Sequence, residues 1–144
     1  MVYLTRRGRF NAAHKLWVKD WSDEKNVEIF GKCANPNFHG HNYTLYVTVK
    51  GEPDPVTGML INAKELSQIM KQEVIDVFDH KNLNLDIDFI PDTLQTTCEN
   101  LAILIWKRLE PKIKHCKLHC VKLEETENIY TCLLYTSPSP RDRG

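Results

Sequence analysis

The chain has 144 residues, about the length of one domain. Its 19 basic and 19 acidic residues cancel, which argues against a nucleic-acid clamp or a polybasic membrane protein. Hydrophobic residues make up 42% of the chain and charged residues 26%, enough for one core beneath an ordinary polar surface. The longest apolar run, Leu101 to Trp106, is far short of a membrane span. Met1 to Arg7 holds no apolar leader, so no signal peptide is expected. The five cysteines are then read as reduced thiols in a cytoplasmic protein rather than as a disulfide framework.

In chain order, Val2, Leu4, Phe10 and Ala12 predict a strand over 2–13, interrupted near Gly8. Residues 20–42 are rich in Asp, Asn, Pro, Gly and Trp and are read as one long loop, a length that is usually functional in a compact domain. Residues 43–50 alternate, with Tyr43, Leu45, Val47 and Val49 on one face, and predict a strand. A turn over Gly51–Gly58 leads to Met59-Leu60-Ile61, expected to return as a hairpin strand. Asn62 is a helix cap with Glu65 as its capping-box partner, and apolar residues from Leu66 to Phe78 recur at helical spacing. Residues 81–92 form an Asn/Asp-rich loop. A second helix is expected from Thr97 to Pro111, then a strand from Leu118 that weakens towards Tyr130. Strands, helix, helix, strands is the order of an α+β fold with a mainly antiparallel sheet. The domain is placed at 1–135. Residues 136–144 carry no core-forming side chain and are read as a disordered, non-native tail.

The chemistry begins at His39-Gly40-His41. On an extended backbone, residues i and i+2 share a face, so these imidazoles make a ready pair of metal ligands. His14, just past the first predicted strand, is the best third. Three histidines with one open position describe a catalytic zinc site; the bland alternative is two surface histidines. Cys33 is a metal ligand, a base, or a small buried hydrophobe. Asp79-His80 ends the first helix, either as a proton relay or as a helix-terminal charge beside a surface histidine. Among Glu124, Glu125 and Glu127, one carboxylate turned inward could grip a guanidine-like edge; otherwise they form a solvated rim. Glu99 complements the dipole of the second helix. His115 and His119 share a strand face but sit roughly 13 Å apart at about 3.3 Å per residue, too far for one ion.

Four segments together resemble the 6-pyruvoyl-tetrahydropterin synthase family: Phe30 to Tyr43 (FGKCANPNFHGHNY), Gly51 to Met59, Asp79 to Asn84 (DHKNLN) and Glu125 to Asn128. The resemblance runs from about residue 4 to residue 130. It implies a tunnelling fold, a four-stranded antiparallel sheet with two helices on one face. It also implies that sheets join into trimeric barrels, that two trimers stack into a hexamer, and that protomers share each site. The implied reaction converts 7,8-dihydroneopterin triphosphate to 6-pyruvoyl-tetrahydropterin, releasing triphosphate without an external redox cofactor. The implied roles are zinc ligands for His14, His39 and His41, general base for Cys33, and relay for Asp79 and His80. Glu125 would anchor the pterin ring, and Thr97 and Glu99 would line its pocket.

Cys98 stands where the animal-type enzymes carry a second threonine. Thr131-Cys132-Leu133-Leu134-Tyr135 replaces the family's closing strand, so Leu133, Leu134 and Tyr135 would have to pair as an edge strand to complete the sheet. Two other readings stay open. One is 6-carboxy-tetrahydropterin synthase of queuosine biosynthesis, which shares the triad, Cys and Asp-His; the Asn35-Pro36-Asn37 segment and the Gly51–Met59 turn favour the pyruvoyl enzyme. The other is a catalytically silent zinc-binding module. A relative with glutamate in place of the cysteine, which cleaves the side chain towards folate, is disfavoured by Cys33.

Overall fold

The computed structural model describes residues 1–136. The expected tail falls almost wholly in 137–144 and so lies outside the described residues. The architecture is α+β: one five-stranded sheet, in the order β3-β1-β2-β4-β5, with helices against one face.

Strand β1 (Val2–His14) runs unbroken and pairs antiparallel with β2 (His39–Gly51) along its whole length. The interruption expected at Gly8 is absent. A Cβ there would lie 3.2 Å from Ile75 Cδ1 and 3.3 Å from Met70 Cε. Gly8 therefore marks a helix's close approach to the sheet rather than a break. The alternation read in β2 is real: Tyr43, Leu45, Val47 and Val49 are all fully buried.

The segment expected as a loop over 20–42 contains α1 (Asp23–Phe30) and a 3-10 turn (Gly31–Ala34). Ser22 caps α1, its hydroxyl accepting from Lys25 N at 3.1 Å, and Asp23 and Glu24 complement the dipole. Periodicity could not reveal this helix. Val27 and Ile29 are 58% and 57% exposed, while the buried residue is Asn26.

Met59-Leu60-Ile61 does not return as a strand; Leu60 and Ile61 bury as a bend, because both edges of β2 are already occupied by β1 and β4. The first long helix is α2 (Ala63–Met70), a π turn (Lys71–Ile75) and a final turn, α3 (Asp76–Phe78). Asn62 caps it by accepting from Lys64 N at 2.9 Å. Leu66, Met70, Val74 and Phe78 face the sheet. A two-residue strand, β3 (Lys81–Asn82), pairs parallel with Ala12 and Ala13. Helix α4 (Cys98–Leu109) buries Leu101, Ala102, Ile105 and Leu109. Truncating one such leucine to alanine is expected to cost about 2–5 kcal/mol.

The single strand expected from Leu118 to Tyr130 is two, β4 (Lys117–Thr126) and β5 (Ile129–Leu134), joined by a tight turn at Glu127-Asn128. The expected four-stranded sheet is thereby corrected to five, through β5 on one edge and β3 on the other. Leu133 and Leu134 do pair, opposite Val121 and Cys120, and Tyr135 N donates to His119 O at 2.7 Å.

A candidate metal centre beside a polar cavity

Strand register brings the three histidines together. His14 is the direct cross-strand partner of His39, and His41 lies two residues on along the same face. One ring nitrogen from each falls within 4.8 Å of the others. No other such metal-ligating group occurs among the described residues; His119 instead lies with its ring edge against Tyr3, centroids 4.7 Å apart.

Glu125 reaches the same point from β4. It is the extra residue of a β-bulge: Glu124 pairs with Tyr130 and Thr126 with Ile129, leaving Glu125 unmatched. Bulges commonly re-aim a side chain near active sites. Here the carboxylate oxygen Oε1 lies 3.3 Å from Nε2 of both His14 and His41.

The protonation of this cluster follows from its partners. His14 Nδ1 is 2.7 Å from Thr96 O, and a carbonyl can only accept, so Nδ1 carries the proton. In the neutral ring Nε2 then offers a lone pair. That atom is buried without a hydrogen-bond partner, as are both ring nitrogens of His39. A lone pair facing an ionised carboxylate is acceptor against acceptor. The contact is favourable only with a cation or a shared proton between them. Burial is the main influence pushing the His39 imidazole below its ordinary value, helped by His14 and His41 and opposed by Glu125. Burial also pushes His41 down, against the pull of Glu125. His14 is the largest influence holding the Glu125 carboxyl below the usual range, with burial opposing. Three imidazole nitrogens beside a carboxylate are a donor set that fits a divalent metal, and three nitrogens with a further position open is the pattern of catalytic zinc.

A cavity of about 770 Å³ opens beside this cluster. Arg9, Asn11, His41, Asp79, Glu125 and Glu127 are among its walls. Asp79 is held by two partners: Asn11 N donates to Oδ1 at 2.8 Å, and His80 Nδ1 lies 2.9 Å from Oδ2. The Asn11 bond, then His80, hold its carboxyl below the ordinary value. The adjacent pair read from sequence therefore does touch. His80 adopts φ +60°, a left-handed conformation uncommon for a residue with a Cβ, and its side chain is 82% exposed.

The remaining sequence candidates are placed apart. Cys33 sits in the 3-10 turn, half-buried, with its carbonyl accepting from Leu16 N at 2.8 Å. Thr97 caps α4, its hydroxyl accepting from Asn100 N at 3.2 Å, and Glu99 lies in the first turn. Cys33, His80, Thr97 and Glu99 do not line the cavity of the single chain. Cys98, at the position of departure, donates its thiol to Leu123 O at 3.2 Å, and burial pushes that thiol up.

Sequence reasoning missed Tyr43 and Thr96. Tyr43 is fully buried, its ring edge-on to His14 and His41 at centroid distances of 6.3 and 5.7 Å, and its hydroxyl has no partner. Burial first, then Glu125, Cys98 and Cys33, push its phenol far up. The i+2 spacing from His41 could have placed Tyr43 on the site's face. Nothing local marked the carbonyl of Thr96.

A histidine triad able to hold a metal ion stands at the end of an α+β sheet, beside a polar cavity. The model of the 6-pyruvoyl tetrahydropterin synthase family matches residues 3–134, and the chain belongs to that family. It is 46% identical over 125 residues to the human 6-pyruvoyl tetrahydrobiopterin synthase, covering 87% of this chain and 86% of that one. The Dictyostelium discoideum synthase is 46% identical over 127 residues, covering 88% and 91%. The solved structure of the Caenorhabditis elegans 6-pyruvoyl tetrahydropterin synthase superposes with a TM-score of 0.87 at 38% identity, covering 94% of this chain and 96% of that one.

Proposed function

We propose that this protein is a zinc-dependent enzyme that converts 7,8-dihydroneopterin triphosphate to 6-pyruvoyl-tetrahydropterin with elimination of triphosphate, in tetrahydrobiopterin-type biosynthesis. The observation that carries the reading is the acceptor-against-acceptor contact of His14 Nε2 with Glu125 at 3.3 Å, beside a cavity sized for a small molecule. His14, His39 and His41 would hold the ion. When bound, zinc supplies Lewis acidity to the hydroxyl oxygens of the substrate side chain.

The chain's own groups do the rest. Cys33 accepts a proton from the side-chain carbon, and Asp79 orients His80 to move protons to and from side-chain oxygens. Glu125 holds the pterin edge while facing the triad. Thr97 and Glu99 border the ring at the start of α4. Oxidation of the side chain matches reduction of the ring, so no external redox cofactor enters. No described helix is long and apolar enough to cross a membrane. The five cysteines are free thiols, which supports a cytoplasmic enzyme.

The homo-oligomer reading rests on the sheet edges. Among the described residues, β1 has no strand on its outer side beyond Ala12 and Ala13. Val2, Tyr3 and Leu4 at that edge, and Ile129, Tyr130 and Leu134 on β5, are exposed. Apolar open edges invite strand pairing, and edge-to-edge pairing in a closed ring gives the trimeric barrel, two of which stack into a hexamer.

The test is product identification by mass spectrometry after incubating zinc-loaded protein with 7,8-dihydroneopterin triphosphate. Pyruvoyl-tetrahydropterin with free triphosphate is expected. Carboxy-tetrahydropterin with acetaldehyde, or no product from zinc-loaded protein, would overturn the proposal.

A further inference from the structure

Between β1 and α1 the chain passes through Lys15, Leu16, Trp17 and Val18, a stretch outside any helix or strand and with no strand paired to it among the described residues. Its backbone groups are nevertheless paired. Lys15 N donates to Asn84 Oδ1 at 2.9 Å, and Asn84 Nδ2 donates back to Lys15 O at 3.1 Å. Gln95 grips Trp17 in the same way, at 3.0 and 2.9 Å. Asn26 grips Val18, at 2.7 and 3.0 Å. Three side-chain amides thus stand in for a neighbouring strand.

Asn84 differs from the other two in what lies on either side of its grip. On one side is His14, whose Nδ1 donates to Thr96 O. Thr96 Oγ1 in turn lies 3.4 Å from Asn84 Oδ1 and 3.5 Å from Lys15 O, so Asn84, Lys15 and Thr96 form one part-buried knot behind the His14 ring. On the other side is Leu16, whose N–H holds the carbonyl of Cys33. Asn84 is itself fixed from behind. Its N–H donates to Asn82 Oδ1 at 2.9 Å, Leu83 N donates to Ala13 O at 2.8 Å, and His80 N donates to Asn11 O at 2.6 Å. The stretch from Asp79 to Asn84 therefore runs beside β1 from Asn11 to Lys15 and ends on the Asn84 carboxamide.

We infer that Asn84 is a positioning residue for the metal centre. It fixes the Lys15 peptide, which sets the angle at which His14 presents Nε2 and the place at which Leu16 holds Cys33. This inference rests on the reading of the triad as a metal site. Outer partners that orient a ligating histidine typically govern about 10–100-fold in metal affinity.

The experiment measures zinc affinity by competition with a chromogenic chelator, on the full-length chain, for wild type, Asn84→Ala and Asn26→Ala. Both substitutions remove two amide hydrogen bonds to the same stretch, so both should lower the melting temperature of the metal-free protein. The expected result is an affinity loss of about 10–100-fold for Asn84→Ala and less than twofold for Asn26→Ala. Should Asn84→Ala fail to fold, Asn84→Asp keeps the acceptor for Lys15 N and removes the donor to Lys15 O. It is then expected to lose affinity at least several-fold. An Asn84 variant that folds and binds zinc within twofold of wild type overturns the inference, as does an equal loss in Asn26→Ala. A wild-type chain that takes up no zinc overturns instead the reading of the triad on which the inference rests.

Discussion

His14, His39 and His41 project from two strands paired along thirteen residues, whereas Cys33 stands in a single 3-10 turn and His80 on an exposed left-handed turn. The first group is rigid and complete within one chain. The second is carried by short connecting segments, and only Asp79 of the relay reaches the cavity wall. A sheet ladder can hold three ring nitrogens to a fixed geometry without help. Groups on turns are held by fewer bonds, and here Cys33 and His80 do not line the cavity of the single chain. The metal-capable triad is thus complete within one chain, whereas the groups proposed for proton transfer are not gathered at its cavity.

The strongest way to break this contrast is at the metal. His39→Ala removes the direct cross-strand partner of His14. Stoichiometric zinc should be lost by elemental analysis, and turnover should fall to background. Retention of one zinc per chain would refute the triad. Cys33→Ala probes the other group. Turnover should fall about 10²–10⁴-fold, the usual span for a positioned base, while zinc stoichiometry stays unchanged. Unchanged turnover would remove Cys33 from the mechanism.

The contrast sharpens when two inactive chains are mixed. Assemblies formed from Cys33→Ala and His80→Ala protomers, denatured and refolded together, should regain a measurable fraction of activity. Sites built from the intact Cys33 of one chain and the intact His80 of another exist only in the mixture. If each site were confined to one chain, every site would lack one group and no activity would return.

A smaller effect is expected from pH. His39 and His41 sit below the ordinary imidazole value of 6.5, mainly through burial. The unfolded chain therefore binds protons at these positions before the folded chain does. Their contribution to stability is complete above about 6.5 and is lost as pH falls from there through the lowered folded values. The melting temperature of metal-free protein should decline as pH drops below that point. Zinc, which also selects neutral imidazoles, should slow that decline. An apo melting temperature that rises on acidification would mean that the pull of Glu125 outweighs burial.

How far the sequence exposed all this depended on whether a feature is local. Two-residue alternation exposed β2, and with it His39 and His41 on one face. Helical spacing exposed both long helices and their caps at Asn62 and Thr97. Helix α1 escaped because its anchor is a buried asparagine and its apolar residues face out. The strand β3 has two residues and no periodicity to detect. The Glu125 bulge depends on the register between two strands, β4 and β5, that the sequence presents as one weakening strand. The amide grip of Asn84 on Lys15 joins residues 69 apart, and that of Gln95 on Trp17 joins residues 78 apart. No window along the chain contains both ends of such a contact, so the frame behind the metal centre is visible only in three dimensions.

The smallest expected effect bears on Gly8, where reading and structure diverged most plainly. If the glycine marked a flexible break, filling it would stabilise the strand, since a strand glycine costs roughly 0.5–1 kcal/mol relative to alanine. In the structure the position is instead where Ile75 and Met70 reach the sheet, each at just over 3 Å from an added Cβ. Both neighbours are side-chain ends that can give a few tenths of an ångström. Gly8→Ala should therefore leave stability within about 1 kcal/mol of wild type, the entropic gain offsetting the crowding. Gly8→Val cannot be accommodated in this way and should lose about 1–3 kcal/mol in denaturant unfolding. Zinc stoichiometry should be unchanged in both, because Gly8 pairs with Leu45 and lies six residues from His14 along β1. Equal stability for the two variants would mean that the helix does not press on this point. The uninterrupted strand, which carries His14 to its place beside His39, would then need another explanation.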